Sequence, residues 1–357
     1  MKLILKRQPL ATAVTMLLIA ACPLSSTQAV DIVIRRSDNV ALRGELTKLE
    51  PSQLVIKRTN GEEITVSVAN LKSVQFDGEP NTLSQARSNE RSGALDTALA
   101  KLTEIKASYS GADARLKTEL DFLIARVTGN QALVDPSRAD AARQALETFR
   151  SANKTNFRYL EATLLQAAVH RLQGEAAEGE ALLKEVQQSP VRGFQLQAGV
   201  DLGRLLLKSG DAGAAQAAFD DVIQKSQGDE SAAGAMYDSM LGKALCLKQQ
   251  NQIDEAIATL DDVIAKAPPS ETRTLAEAWV RKGDCLRQKN QSKPALMAYL
   301  HVDVLYPGEP AQHAEALMRL SQLWGPGGHE DRAVEASARL LERYPNSQWA
   351  KNGGSGG

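Results

Sequence analysis

The sequence of 357 residues holds three cysteines, and only Cys246 and Cys285 lie beyond its first thirty residues. That rules out the multi-bridge framework that staples many small exported domains. Histidine is equally scarce. His170, His301, His313 and His329 show no paired spacing on a helix face and no neighbouring cysteine, which argues against a metal centre. An excess of one charge is missing as well, since 42 lysines and arginines face 43 aspartates and glutamates, a net charge of -1. Nucleic-acid binders draw most of their affinity from a basic excess, so that class of partner is not expected. No glycine-rich phosphate loop and no Gly-x-Ser-x-Gly elbow occurs. Carboxylates are abundant but scattered, as on a solvated helix face. Nothing forms a catalytic constellation or a cofactor site, and a non-enzymatic protein is expected.

What is present is an ordinary folded composition, 43% hydrophobic and 24% charged. The length exceeds what one compact core usually holds, which points to two domains or a repeat array. At the start, Lys2, Lys6 and Arg7 precede an apolar run from Leu10 to Ala21. This is the layout of an export signal over residues 1–29, too short to span a membrane, which takes roughly 20 apolar residues. No second such run occurs downstream, so no transmembrane span is expected. Two processing sites compete. Thr27-Gln28-Ala29 suits ordinary signal peptidase, whereas Ile19-Ala20-Ala21-Cys22 resembles a lipobox that would lipidate Cys22. The short tether before Val30 and the proline after Cys22 favour soluble secretion, to the periplasm or cell envelope, over a lipid anchor.

From residue 30 to 78 the apolar period is two. Ile32/Ile34, Val40/Leu42/Leu46, Leu54/Ile56 and Ile64/Val66/Val68 alternate with polar residues, as in half-buried strands. Asn60-Gly61 fits a hairpin turn, and Leu71, Val74 and Phe76 suggest a last strand. Five strands in so short a stretch can barely build a core alone, and curling into a small barrel would remove exposed edges. Strand lengths and turn placement resemble an SH3-like or Sm-like barrel. No aromatic cluster marks a groove, so the module reads as a structural cap on the rest of the chain. The alternative is that it binds a peptide, a glycan or an envelope polymer, with the remainder as spacer.

The remainder repeats itself. With starts at Leu160, Leu196, Tyr237, Ala276 and Ala314, the units are 36, 41, 39 and 38 residues apart. Small residues recur at the eighth place (Ala167, Gly203, Ala244, Gly283, Ser321) and the twentieth (Gly179, Ala215, Ala256, Ala295, Ala333). They allow two helices to approach to about 8–10 Å. Gly174, Gly210, Asn251, Asn290 and Gly328 at the fifteenth place suit the left-handed conformation that ends a helix. The twenty-fourth place reads Leu183, Phe219, Leu260, Tyr299 and Ser337, where the large apolar residue fills the space the small ones leave. Pro268, Pro307 and Pro345 at the thirty-second stop the second helix.

These columns, with Trp279 at a fourth position and Asn251-Gln-Ile-Asp-Glu-Ala-Ile257 around a turn, resemble the tetratricopeptide-repeat family. Tyr306-Pro307 and Tyr344-Pro345-Asn346-Ser347 are similar to the repeat endings of its bacterial-envelope members. Fainter units lie upstream. One runs from Asn81 to Ser108, with Gly93, Ala98, Leu102 and Ile105 at matching offsets. Another runs from Gly111 to Thr155, with Leu116, Leu120 and Leu123 on its first helix and a long connection from Thr128 to Ser137. The resemblance implies a mainly α fold, a right-handed superhelix of about seven helix pairs over residues 79–350, preceded by a five-stranded, barrel-like β domain. Residues 351–357 read as a flexible tail.

Cys246 and Cys285 both take the tenth place of their repeats, an apolar column elsewhere. Equivalent places on stacked helices lie on the order of 10 Å apart, while a disulfide needs Cα atoms within about 7 Å. Two free, buried thiols are expected. The resemblance also implies a concave groove lined by positions 2, 5, 9, 12 and 13 of each first helix. Carried over, it gives Arg171, Arg204, Lys208, Leu241, Lys248, Val280 and Arg287 as peptide-binding candidates. Basic and apolar groups so mixed could clamp a peptide carboxylate. Position 2, however, is acidic at Glu161, Asp238, Glu277 and Glu315. Acid at a helix start and base near its end also satisfy the helix dipole without any ligand. The function implied is protein–protein scaffolding, with an unidentified protein or peptide as partner.

Overall fold

The structure, a computed structural model, describes residues 30–353. The expected export signal, with Cys22 and its alternative lipid anchor, lies outside the described residues, as do the last four residues of the tail. Among the described residues, five strands open the fold: β1 (Asp31–Arg35), β2 (Ala41–Leu49), β3 (Gln53–Lys57), β4 (Glu63–Ser67) and β5 (Leu71–Gln75). They form one antiparallel sheet in the order β4-β3-β2-β1-β5.

Five strands are as expected, but the sheet is not closed into a barrel: β4 and β5 are its two outer strands and do not pair. The reason lies in β2 and in what covers the sheet. Ala41–Gly44 of β2 pairs with β1, then Glu45–Leu49 pairs with β3, with a register shift between Leu46 and Lys48. The strand bends where it changes partner. Gly44 sits at that bend, since a Cβ there would lie 2.2 Å from the Lys57 carbonyl oxygen. Closure would then require β4 to meet β5. Instead a 3-10 turn, Val68–Asn70, joins them and packs against the helices. The apolar face is buried there: Val33, Leu42, Leu54, Ile56 and Val74 share one core with Leu83, Leu102, Leu116 and Leu120. A sheet covered by helices gains its burial without curling shut.

The inward set of β1 also differs from the alternation read in sequence. Asp31 and Val33 face the core, while Ile32 and Ile34 are only half-buried on the opposite face. Asp31 is fully buried because its carboxylate accepts from the Leu46 amide (2.9 Å) and the Asp77 amide (2.9 Å), and pairs with Arg115 (2.8 Å). A buried carboxylate with that many partners is a fastening.

Fourteen helices of the described residues then form seven pairs: α1 (Asn81–Arg91) and α2 (Leu95–Ser108), α3 (Ala114–Val134) and α4 (Ala139–Ala152), α5 (Tyr159–Gln173) and α6 (Ala176–Gln187), α7 (Arg192–Lys208) and α8 (Ala212–Ser226), α9 (Ala233–Gln249) and α10 (Ile253–Lys266), α11 (Thr272–Gln288) and α12 (Ser292–Leu305), and α13 (Pro310–Trp324) and α14 (Glu330–Arg343). A short α15 (Gln348–Gly353) packs on α13 and covers the last pair, taking in three residues of the segment read as tail. Every helix packs on the next in sequence. The first helices of successive pairs from α3 to α13 also touch one another, which makes them the inner layer.

The repeat columns carry this architecture. All five fifteenth-place residues have positive φ: Gly174 79°, Gly210 90°, Asn251 63°, Asn290 58° and Gly328 83°. Each ends a first helix and turns the chain back. At the eighth place, a Cβ on Gly203 would lie 2.5 Å from the Phe219 ring, and one on Gly283 2.6 Å from Tyr299. The bulky twenty-fourth residue therefore occupies the room that the glycine leaves. Each of Pro268, Pro307 and Pro345 comes two residues after the end of its helix.

One expectation fails in the second pair. The long connection from Thr128 to Ser137 does not exist, because α3 continues to Val134 and only a 3-10 turn at Pro136–Arg138 precedes α4. Gly129 lies inside α3 as a packing glycine: a Cβ there would lie 2.6 Å from Leu165 of α5. Cys246 and Cys285 are free and buried, and burial pushes both thiols up to about 11.

Candidate functional site

The inner layer carries many charges, and the fold neutralises most of them internally. Arg126 on α3 reaches Glu161 on α5 (3.2 Å), Arg204 on α7 reaches Asp238 on α9 (2.8 Å), and Arg281 on α11 reaches Glu315 on α13 (2.9 Å). Each pair joins one repeat to the next. The acidic second position, which the helix dipole alone could explain, is thus an inter-repeat fastening at Glu161, Asp238 and Glu315. Glu277 instead takes Arg281 of its own helix (2.6 Å) and the Gln312 amide (2.9 Å). Burial alone would pull the Arg126 and Arg281 guanidiniums down, but the carboxylates beside them hold both above the ordinary arginine range.

Beneath the sheet the pairing is denser. Arg158 is buried against Glu119 (2.7 Å) and Glu161 (3.0 Å), with its guanidinium 4.8 Å from the Phe122 ring centre. Arg126 also grips Glu90 of α1 (2.6 Å). This network fixes α1, α3 and α5 to one another.

Two adjoining cavities, of about 1040 and 630 Å³, run between the sheet and the inner layer and share Lys72, Arg126, Arg158, Glu161 and Gln197. The larger is bounded on the sheet side by Arg36, Val68, Ala69, Leu71 and Lys72, and on the helix side by α5, α7, α9 and α11. Its apolar lining comes from Phe157, Phe194, Leu196, Leu207, Leu241 and Leu245. The smaller runs along Lys72, Ser73 and Val74 of β5, facing α1, α3 and α5. The larger alone lies at the upper end of the usual size for binding sites, about 300–1,000 Å³, and the two together make a longer, half-open channel.

Of the seven residues expected to line a groove, Arg204 and Leu241 border the larger cavity. The other five border neither cavity. Lys208 is exposed and donates from Nζ to the Arg171 carbonyl (2.7 Å) at the end of α5. Lys248 lies 4.0 Å from Asp284, Val280 is fully buried between helices, and Arg287 is exposed in the last turn of α11. Arg171 is half-buried, and burial pulls its guanidinium below the ordinary value. The twelfth and thirteenth positions sit at the far ends of the first helices, where a cation meets carbonyls. The sheet roofs the near ends, and the channel forms there. Four channel residues went unnoticed in the sequence: Arg36, Lys72, Arg91 and Arg273 have no anionic side-chain partner among the described residues. No spacing marks them, because only the docking of sheet on helices brings them together.

Among the described residues no helix is long and apolar enough to cross a membrane, and no group of His, Cys, Asp or Glu is arranged to hold a metal ion.

Comparison with known proteins agrees with this architecture. Residues 200–271 and 315–347, together under a third of the chain, match the tetratricopeptide repeat. No curated protein matches the chain in sequence. Among solved structures, a tetratricopeptide repeat protein from Parabacteroides merdae superposes with a TM-score of 0.53 at 14% identity, covering 76% of this chain and 95% of that one. The apo form of the quorum sensor NprR from B. thuringiensis gives 0.52 at 11%, covering 76% and 78%. A Rap protein complexed with Competence and Sporulation Factor gives 0.52 at 13%, covering 76% and 77%. At such identities the likeness is one of fold. The chain therefore carries tetratricopeptide repeats at 200–271 and 315–347, within a helical array of tetratricopeptide type that comes after an open five-stranded sheet.

Proposed function

We propose that this protein is a non-enzymatic scaffold of the cell envelope, exported by its N-terminal segment, that holds a segment of a partner protein in the channel between sheet and inner layer. The observation that carries the reading is the channel itself. Its walls mix apolar side chains with polar ones, its inner arginines are already neutralised, and unpaired cations stand at its borders. Repeat arrays suit such work because contacts between neighbours alone build a long surface. The Rap protein, similar in fold, was solved complexed with Competence and Sporulation Factor, which adds support.

A photo-crosslinking residue at Leu245, inside the channel, compared with one at Met297, exposed on α12, tests it in intact cells. A protein adduct is expected from position 245 and not from 297. Adducts from 297 alone would move the partner to the outer face and end this reading. Export is tested by sequencing the N-terminus of the mature chain. A start at Val30 is expected, and an uncleaved chain in the cytoplasmic fraction would contradict it.

A further inference from the structure

A sheet edge is normally blunted, because its unpaired N–H and C=O groups invite another strand. The two edges here are treated differently. β4 presents Glu63, Thr65 and Ser67 to solvent with no wall beside it. β5 pairs only with β1 among the described residues, and its length from Lys72 to Val74 borders a cavity whose opposite wall is Glu90, Leu123 and Asn130. Such an edge is shielded from another whole sheet, yet it stays open to a single extended strand entering the channel.

The charges select what enters. Along the two cavities four cations lack an anionic partner among the described residues: Arg36, whose guanidinium meets only the Leu71 carbonyl (3.3 Å), Lys72, which meets only the Asn39 amide oxygen (2.6 Å), Arg91 and Arg273. One carboxylate, Glu271, similarly has no cationic partner among the described residues. Over all charged side chains that border the two cavities, eight cations face seven carboxylates, a net excess of one positive charge. The four cations without an anionic partner are the ones an incoming acidic segment would meet.

We infer that β5 is a strand-addition site: an extended, acidic segment of the partner protein pairs with its free edge inside the channel. The backbone supplies the hydrogen bonds. Apolar side chains on one face of the incoming strand meet Leu123 and Leu164, and acidic ones meet Lys72 and Arg91. This rests on the proposed function and assigns its binding mode.

The test is fluorescence anisotropy on the full-length chain. The probes are labelled nonapeptides alternating valine with glutamate or with lysine, and two forms of the acidic one N-methylated at one alternate set of residues or the other. The acidic probe is expected to bind at least about tenfold more tightly than the lysine one. Methylating the set that faces β5 is expected to weaken binding by about tenfold or more, with the other set tolerated. Lys72 is exposed, so Lys72→Glu should leave the fold intact and remove most of the charge preference. Binding that ignores both methylation patterns would overturn strand addition while leaving the channel as a receptor. Absence of acidic-probe binding would overturn it too, and an adduct at position 245 would then show that the broader reading survives alone.

Discussion

The two halves of the molecule are built on different principles. From the sheet through α7 one apolar core is continuous, running from Val33 and Leu54 to Leu183 and Leu205. Beyond it the core breaks into smaller clusters, around Phe219, around Leu260 and around Tyr299. The C-terminal half is a quasi-one-dimensional stack, in which each repeat leans on its neighbours. The N-terminal half adds a sheet-to-helix fastening that a plain stack lacks: Asp31 of β1 with Arg115 of α3, 84 residues apart. The lesson is that the sheet is structurally part of the first repeats. It roofs the near ends of the inner helices, and the channel exists because of that roof.

The largest expected effect that sharpens this contrast is Asp31→Ala. It leaves the Leu46 and Asp77 amides and Arg115 without their buried acceptor, a loss of about 3–5 kcal/mol. Hydrogen exchange should show protection lost together across the sheet and α1 to α5, with α11 to α14 little changed. Loss spread evenly over all repeats would mean that the two halves are one cooperative unit.

A smaller effect belongs to the other half. Asp303 is partly buried, which alone would raise its pKa, but His313 (2.8 Å) and Arg339 (2.6 Å) lower it to about 2 from an ordinary 3.8. Its carboxylate therefore adds stability above the unfolded-state pKa, and this is lost as pH falls from about 4 toward 2, by at most about 2 kcal/mol. Urea titrations of the last repeats at the two ends of that window should show the drop, and Asp303→Asn should remove most of it. An unchanged drop in the variant would place the acid sensitivity elsewhere.

The smallest is conformational. Asn290 holds φ 58° where three other repeats use glycine. Asn290→Gly relieves a left-handed backbone but frees the unfolded chain, so thermal unfolding should change by less than about 1 kcal/mol. Asn290→Val, branched at Cβ, should destabilise by more than that.

How much was legible in the sequence depends on the range of the forces involved. Gly174, Gly210 and Asn251 announce helix ends because a positive φ is a local demand on residue type. Phe219 against Gly203 was legible because bulk and its absence recur at fixed spacing. The connection expected from Thr128 to Ser137 was misread because α3 runs on to Val134, where Gly129 makes room for Leu165 of α5, a long-range demand with no local mark. Asp31 was invisible as a core residue, since its burial depends on Arg115, 84 residues away. The channel was hidden for the same reason. Arg36, Lys72 and Arg273 come from a strand end, an outer strand and a helix start, joined only by tertiary docking. The helix-end cations Arg171, Lys248 and Arg287 were conspicuous because they recur, and recurrence there reflects helix termini.

The most direct test sets those two groups of cations against each other in a cross-linking pull-down from intact cells. One chain carries Arg36→Glu, Lys72→Glu and Arg273→Glu, and the other Arg171→Glu, Lys248→Glu and Arg287→Glu. The channel account predicts that a partner captured by the native chain is lost from the first variant and kept by the second. Loss from the second alone would contradict it and return the binding surface to the far ends of the helices.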